Sequence, residues 1–222
     1  DNPIYTRRGS QFTLSAQFTP PYSLFSKKDY KSLYESSSRA DREELYRWIE
    51  YYKIKFKSRV YTPLNNSEKY TLVLMGRADF GLLGSYNKYK QTPFETFHVG
   101  GDGMTGSYTY ATETIGLRGY DNGALTPYSD GRAYTRFSME LHFPFLLQPS
   151  STIYGLAFVE GGNAWTSLEN FNPFSLKRSA GVGVRIFLPM IGLMGIDWAY
   201  GFDKVQGEKG GGHFHFILGQ EF

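Results

Sequence analysis

The sequence predicts an all-β fold, an antiparallel transmembrane β-barrel that contributes eight strands, on three observations. Apolar and polar residues alternate with a period of two, the alternating segments are long, and the connections between them switch between short and long. Successive side chains of a strand point to opposite faces, so each segment has one apolar and one polar side. Segment 10–19 sets Phe12, Leu14, Ala16 and Phe18 against Gln11, Thr13, Ser15 and Gln17. Segment 52–62 sets Ile54, Phe56 and Val60 against Lys53, Lys55, Lys57 and Arg59. Segment 69–84 opposes Leu72, Leu74, Ala78, Phe80 and Leu82 to Thr71, Arg77 and Asp79. The clearest segment, 131–146, opposes Ala133, Phe137, Met139, Leu141, Phe143 and Phe145 to Arg132, Arg136, Ser138, Glu140 and His142. Four more follow at 152–165, 178–188, 192–202 and 212–222.

Alternation alone suits a soluble sandwich, which buries its apolar faces, as well as a membrane barrel, which turns them to lipid. Length favours the membrane barrel, since a membrane strand needs about 9–11 residues against a soluble mode of about 5–6. Aromatic residues sit near segment ends, at Tyr61, Phe143, Phe145, Trp165, Trp198 and Tyr200, where interfacial girdles belong. Connections at 63–69, 147–151 and 188–192 are short, and those at 20–52, 91–130, 166–177 and 203–211 are long. In an outer-membrane barrel the short set faces the periplasm.

Composition removes other classes. With 41 % hydrophobic and 20 % charged residues among 222, the chain is too apolar for disorder. It contains no apolar run long enough for a membrane helix. The absence of cysteine excludes a disulfide scaffold, Cys-ligated zinc and thiol catalysis. A net charge of +3 is close to balance and gives no nucleic-acid face. Asp1-Asn2-Pro3-Ile4-Tyr5 is not a signal peptide, so any export address is expected upstream.

In the 20–52 connection, residues 41–49 read as a short helix shielding the barrel mouth, with Asp41 as its cap and Glu44 completing a capping-box-like start. The 91–130 connection exceeds ordinary loop lengths but carries Phe94, Phe97, Val99, Leu117 and Tyr120, so an ordered segment folded into the lumen is expected. Its Gly101-Asp102-Gly103-Met104-Thr105-Gly106 matches a dinucleotide fingerprint only formally, because no strand–helix unit surrounds it.

Four blocks of sequence share one resemblance. Phe97-His98-Val99-Gly100-Gly101 followed by Gly116-Leu117-Arg118-Gly119-Tyr120 is similar to a signature pair of the BamA-type outer-membrane insertases. Phe158 to Trp165, Ser179 to Arg185 with Gly195 to Tyr200, and His213 to Phe222 resemble that family's later segments in the same order. Glu160 departs from the pattern, standing where the family usually has Asp. The resemblance implies the C-terminal half of a sixteen-stranded barrel in the bacterial outer membrane, with periplasmic POTRA domains upstream. It also implies insertion and folding of β-barrel proteins, through a lateral seam at the closing strand; no hydrolytic or redox chemistry is visible in the residues, so neither an enzyme nor a cofactor is expected. Protein-secretion and lipoprotein-export relatives remain open. The implied partners are outer-membrane lipids, client β-barrel proteins and accessory assembly-complex subunits, with no nucleic acid.

Two groups of site residues follow. An Arg118 carried into a confined lumen needs carboxylates, and the alternation places Glu160 and Asp197 on the polar faces of their strands. On the closing strand Phe214, Phe216, Leu218 and Phe222 form one stripe, while Gly219 on the other face loosens the strand for exchange with a client edge. Rival readings are a small lipid-cleaving barrel and a porin. His213 and His215 share a face, but two ligands without a third do not make a metal site, and no catalytic constellation is visible. Lys53, Lys55 and Lys57 would suit anion passage, but an ordered 91–130 segment would block it.

Overall fold

A computed structural model of the chain describes residues 4–67, 69–103, 112–128, 130–206 and 210–219. In chain order its elements are β1 (Gly9–Phe18), α1 (Tyr22–Phe25), α2 (Tyr30–Glu35), α3 (Arg39–Tyr46), β2 (Tyr52–Pro63), β3 (Val73–Gly84), β4 (Thr96–Val99) and β5 (Thr112–Ile115). They continue with β6 (Ala133–Gln148), β7 (Ser151–Trp165), a 3-10 turn (Leu168–Asn170), β8 (Lys177–Leu188), β9 (Gly192–Gly201) and β10 (Gly212–Leu218). Eight strands form one antiparallel sheet in the order β1-β2-β3-β6-β7-β8-β9-β10, and β4 and β5 form a small parallel pair outside it. Each pair in the large sheet is a chain neighbour except β3 and β6, between which residues 85–132 are inserted.

The closed barrel expected from the pattern is not what the chain forms. Closure requires the two terminal strands to share a ladder; here β1 pairs with β2, β10 pairs with β9, and the sheet ends at both. The expectations of a transmembrane β-barrel, of half a sixteen-stranded barrel and of a multi-pass barrel location are corrected accordingly. Alternation specifies which face a residue takes but says nothing about whether distant edges meet.

The sheet is nonetheless inside-out. On β6, Arg136, Ser138, Glu140 and His142 are buried, while Met139 and Phe145 on the other face are 54 % and 59 % exposed. On β9 the same inversion buries Asp197 and leaves Ile196, Trp198 and Tyr200 exposed. A register shift between Pro144 and Leu146 bends β6 against β7, where the missing proline N–H interrupts the ladder.

Two small apolar clusters close the polar face. The described part of the inserted segment lies over one end, where Leu83, Phe97, Val99, Ile115 and Tyr134 pack together and the Phe97 and Tyr134 rings meet edge-on at 4.8 Å. Gly81 makes this possible, because a Cβ there would stand 2.2 Å from the Tyr134 ring. Over the other end Tyr5 inserts among Val73, Tyr154, Leu156 and Phe158, and its hydroxyl donates to the Thr71 carbonyl at 2.7 Å and to that of His142 at 3.2 Å.

The 20–52 connection holds three short helices where the sequence suggested one. Ser38, not Asp41, occupies the N-cap of α3; Asp41 lies in its first turn and accepts a hydrogen bond from Ser36 Oγ at 2.5 Å. Glu44 is drawn to Lys28 rather than back to the helix start. The last strand runs to Leu218, and Gly219 follows it with φ +98°, a conformation that suits glycine at a strand end.

Tyr5 tests the lower closure. Tyr5→Phe keeps the packing and removes both hydrogen bonds, and its cost in chemical unfolding is expected at about 1–2 kcal/mol. Tyr5→Ala empties the cluster and should cost about 3–5 kcal/mol.

Candidate functional site

The segment from Gly116 to Tyr120 is fastened to the polar face residue by residue. Leu117 exchanges both backbone hydrogen bonds with Gly101, at 2.9 and 3.1 Å, and its side chain is fully buried over Gly162. The Gly116 carbonyl accepts from Arg136 Nη1 at 2.8 Å. Gly119 has φ +89°, and a Cβ there would lie 2.7 Å from Ser179 Cβ, so conformation and space both demand glycine. Its N–H donates to His215 Nε2 at 2.9 Å. The Tyr120 hydroxyl donates to the Arg178 carbonyl at 2.6 Å.

Arg118 is the centre. Its side chain is 1 % exposed and meets three carboxylates from three strands: Nη2 bonds Glu160 Oε1 of β7 at 2.7 Å and also Glu140 of β6, and Nη1 bonds Asp197 Oδ2 of β9 at 3.0 Å. Its backbone N–H donates to the second oxygen of Glu160 at 2.9 Å. The guanidinium carbon lies 3.5 Å from the centroid of the Phe158 ring, a cation–π contact on one planar face. Burial alone would lower the Arg118 pKa; Glu160, Glu140 and Asp197 reverse this and hold it well above the ordinary arginine value.

Each carboxylate is itself held. Ser138 Oγ donates to Glu160 at 2.6 Å, and His142 Nε2 lies 2.7 Å from Glu140 Oε2. Arg185 approaches Asp197 with two nitrogens, at 2.5 and 2.8 Å, the fork geometry that suits guanidinium to carboxylate. A second node lies beside the first, where Asp79 Oδ2 accepts from Arg77 at 2.7 Å and from Arg136 Nη2 at 2.6 Å. A third joins β2 to the covering segment: Lys53 bonds Glu95 and Glu113 at 3.1 Å each, and Lys55 bonds Glu113 at 2.9 Å. Burial would raise the Glu113 carboxyl, but the Lys55 hydrogen bond and the Lys53 charge outweigh it and hold it below the ordinary 4.5.

The structure thus brings Arg118 against Glu160 and Asp197, the two acids that alternation placed on the polar faces. Reading the sequence missed Glu140, Arg185, Ser138 and Phe158. Glu140 had a visible signal, since it shares the polar row of β6 with Arg136 and Ser138. Phe158 had only its place at the head of a resembling block, because an apolar residue on a polar face carries no sign of a contact with a cation. Lys53 and Lys55, read as lining a pore, are committed to the covering segment. His213 pairs with Asp121 at 3.2 Å and His215 accepts from Gly119, so the two do not converge on a shared site. Among the described residues no group of three or more His, Cys, Asp and Glu could hold a metal ion. Phe214, Phe216 and Leu218 form an exposed stripe on β10, Gly219 follows the strand end, and Phe222 lies outside the described residues. Because β10 is an edge with no seam partner, the expectation of client insertion through a lateral seam there is overturned.

An inside-out sheet whose polar face is locked to a long loop by buried charge has relatives. The chain matches the Omp85 superfamily domain over residues 1–222, and it belongs to that superfamily. It is also similar in fold to the crystal structure of BamA from Haemophilus ducreyi lacking POTRA domains 1–3, with a TM-score of 0.52 and 20 % identity. That match covers 75 % of this chain and 34 % of the other, so the chain spans about a third of the BamA chain.

Two measurements probe the site. Arg118→Ala leaves three buried carboxylates without their shared cation and should cost about 3–5 kcal/mol, with faster proteolysis within residues 91–130. Arg118→Lys should recover only part, since a point charge cannot serve three acceptors in a plane. The second is pH dependence at Glu113. Its folded pKa is depressed, so its contribution is present above the unfolded value and lost as pH falls through the folded one. The stability gap between the native chain and Glu113→Gln is therefore expected to be open at pH 6 and to shrink progressively as the pH falls below the ordinary glutamate value.

Proposed function

We propose that this chain is the lipid-facing wall of a bacterial outer-membrane component that works with other proteins of that membrane. Residues 1–222 are read as the C-terminal part of its domain, client β-barrel proteins as its partners, and accessory subunits as bound elsewhere on the full-length protein. The observation that carries the reading is the inverted sheet clamped by Arg118. A sheet that buries Arg118, Glu140, Glu160 and Asp197 while exposing Met139, Val159, Ile196 and Phe214 is built for an apolar medium on its outer side. Superfamily membership supports reading the membrane as the bacterial outer membrane and the partners as proteins of that membrane.

The clamp gives the wall a fixed inner surface. It ties β6, β7 and β9 to one loop residue, so the sheet cannot flex across these strands without separating a buried cation from its counter-charges. A partner meeting this wall meets a rigid surface rather than a mobile loop.

Chemical crosslinking in outer-membrane preparations of the full-length protein, read by mass spectrometry, tests the partners. Adducts to β-barrel proteins are expected. If adducts form to lipids alone, the client part of the reading is wrong, while the lipid-facing part stands.

A further inference from the structure

The outer face of the sheet is not evenly covered. Between β6 and β10 it sinks into a groove of about 940 Å³. The depth follows from side-chain size. The middle of the groove carries Gly155 on β7 and Val182 and Val184 on β8, whereas Phe143 on β6 and Phe214 and Phe216 on β10 stand at its sides. The Phe143 ring also lies down over Gly155, where a Cβ would be only 2.3 Å from it. On the other side the Trp198 indole nitrogen lies 3.0 Å from where a Cβ of Gly212 would be. Aromatic side chains of β6 and β10 standing above a floor that includes Gly155, Val182, Val184 and Ile196 make a trough.

The trough has a direction. Toward the β8–β9 turn the surface continues as Met190 and Ile191, which are 98 % and 64 % exposed. At the opposite end of β8, Arg178 occupies the same outer row as Val182, Val184 and Ile186, is exposed, and pairs with Asp203 at 2.9 Å. Beside it Lys177 reaches the Lys204 carbonyl, so further cationic side chains stand at that end. One end is therefore apolar and the other charged.

We propose that this groove is a binding site for one acyl chain of an amphipathic lipid, tail toward Met190 and head toward Arg178. A peptide would need hydrogen-bond partners along its length, and the strands beneath the groove have spent theirs in the sheet ladders. An alkyl chain needs only apolar contact along its length and a polar anchor at one end. The inference rests on the reading that the outer face meets lipid, and goes beyond it in assigning a saturable site rather than bulk contact.

The absence of cysteine from the chain supplies the test. In the full-length protein with any other cysteines removed, Val184→Cys places a bimane label in the groove and Val60→Cys places one on the outer face of β2, outside it. The protein is reconstituted in phosphatidylcholine vesicles containing increasing mole fractions of phosphatidylcholine brominated in mid-chain. Quenching at Val184→Cys should saturate at a mole fraction about fivefold lower than at Val60→Cys, whose quenching should track bulk lipid. Adding Ile196→Trp, which fills the groove, should return the Val184→Cys curve to the bulk one, whereas Ile196→Val should not. Equal, unsaturated quenching at both positions would overturn the site and leave the lipid-facing reading intact. Absence of quenching at Val60→Cys would overturn that reading and the site with it. A groove label shielded from brominated lipid and crosslinked to a second copy would replace the lipid by a dimer.

Discussion

A guanidinium that is 1 % exposed must be neutralised on the spot, and the rest of this structure is arranged around that requirement at Arg118. The cost of removing the charge from water is met by three carboxylates, a π face and the order that surrounds them. Because the acids come from β6, β7 and β9, satisfying one side chain fixes the relative placement of non-adjacent strands. Because Arg118 sits on the inserted segment, the same contacts fix the loop. Gly119 and Leu117 serve this placement: one allows the backbone within touching distance of β8 and β9, and the other buries an apolar side chain over Gly162 directly beside Arg118.

The outer face sets the complementary constraint. A soluble sheet of this size would be held together by its apolar side. Here that side is exposed, and cohesion across the buried face falls to ion pairs and two small clusters at its ends. The arrangement resembles a membrane protein in its polarity, and membership of the Omp85 superfamily agrees with it. Yet among the described residues β1 and β10 are the two edges of the sheet. The chain's own strands do not pair them with each other.

What could be read in the sequence divides along the same line. Each strand of the large sheet falls in an alternating segment, because the period of two is a local property that residues such as Arg136, Ser138 and Glu140 carry by themselves. The polar placing of Glu160 and Asp197 follows from counting along their own strands. Closure could not be read, since it depends on whether Gly9–Phe18 meets Gly212–Leu218, about two hundred residues apart, and no local pattern encodes that. The helices of the 20–52 connection were harder for another reason: segments of four to eight residues are too short for periodicity to separate them from turns. Phe158 was invisible as a site residue because its role, a ring beneath a cation, exists only once Arg118 has been brought to it.

Amide hydrogen exchange at Arg118 and Gly119 tests the central claim most directly. Both N–H groups lie in a loop, yet they donate to Glu160 and to His215 on the buried face. If the ionic centre locks the segment, these two amides exchange as slowly as those in the middle of β6 and β7, and far more slowly than those of residues 121–123 immediately after them. Exchange of Arg118 and Gly119 at the rate of that neighbouring stretch would contradict the account, since the loop would then leave the sheet without disturbing it.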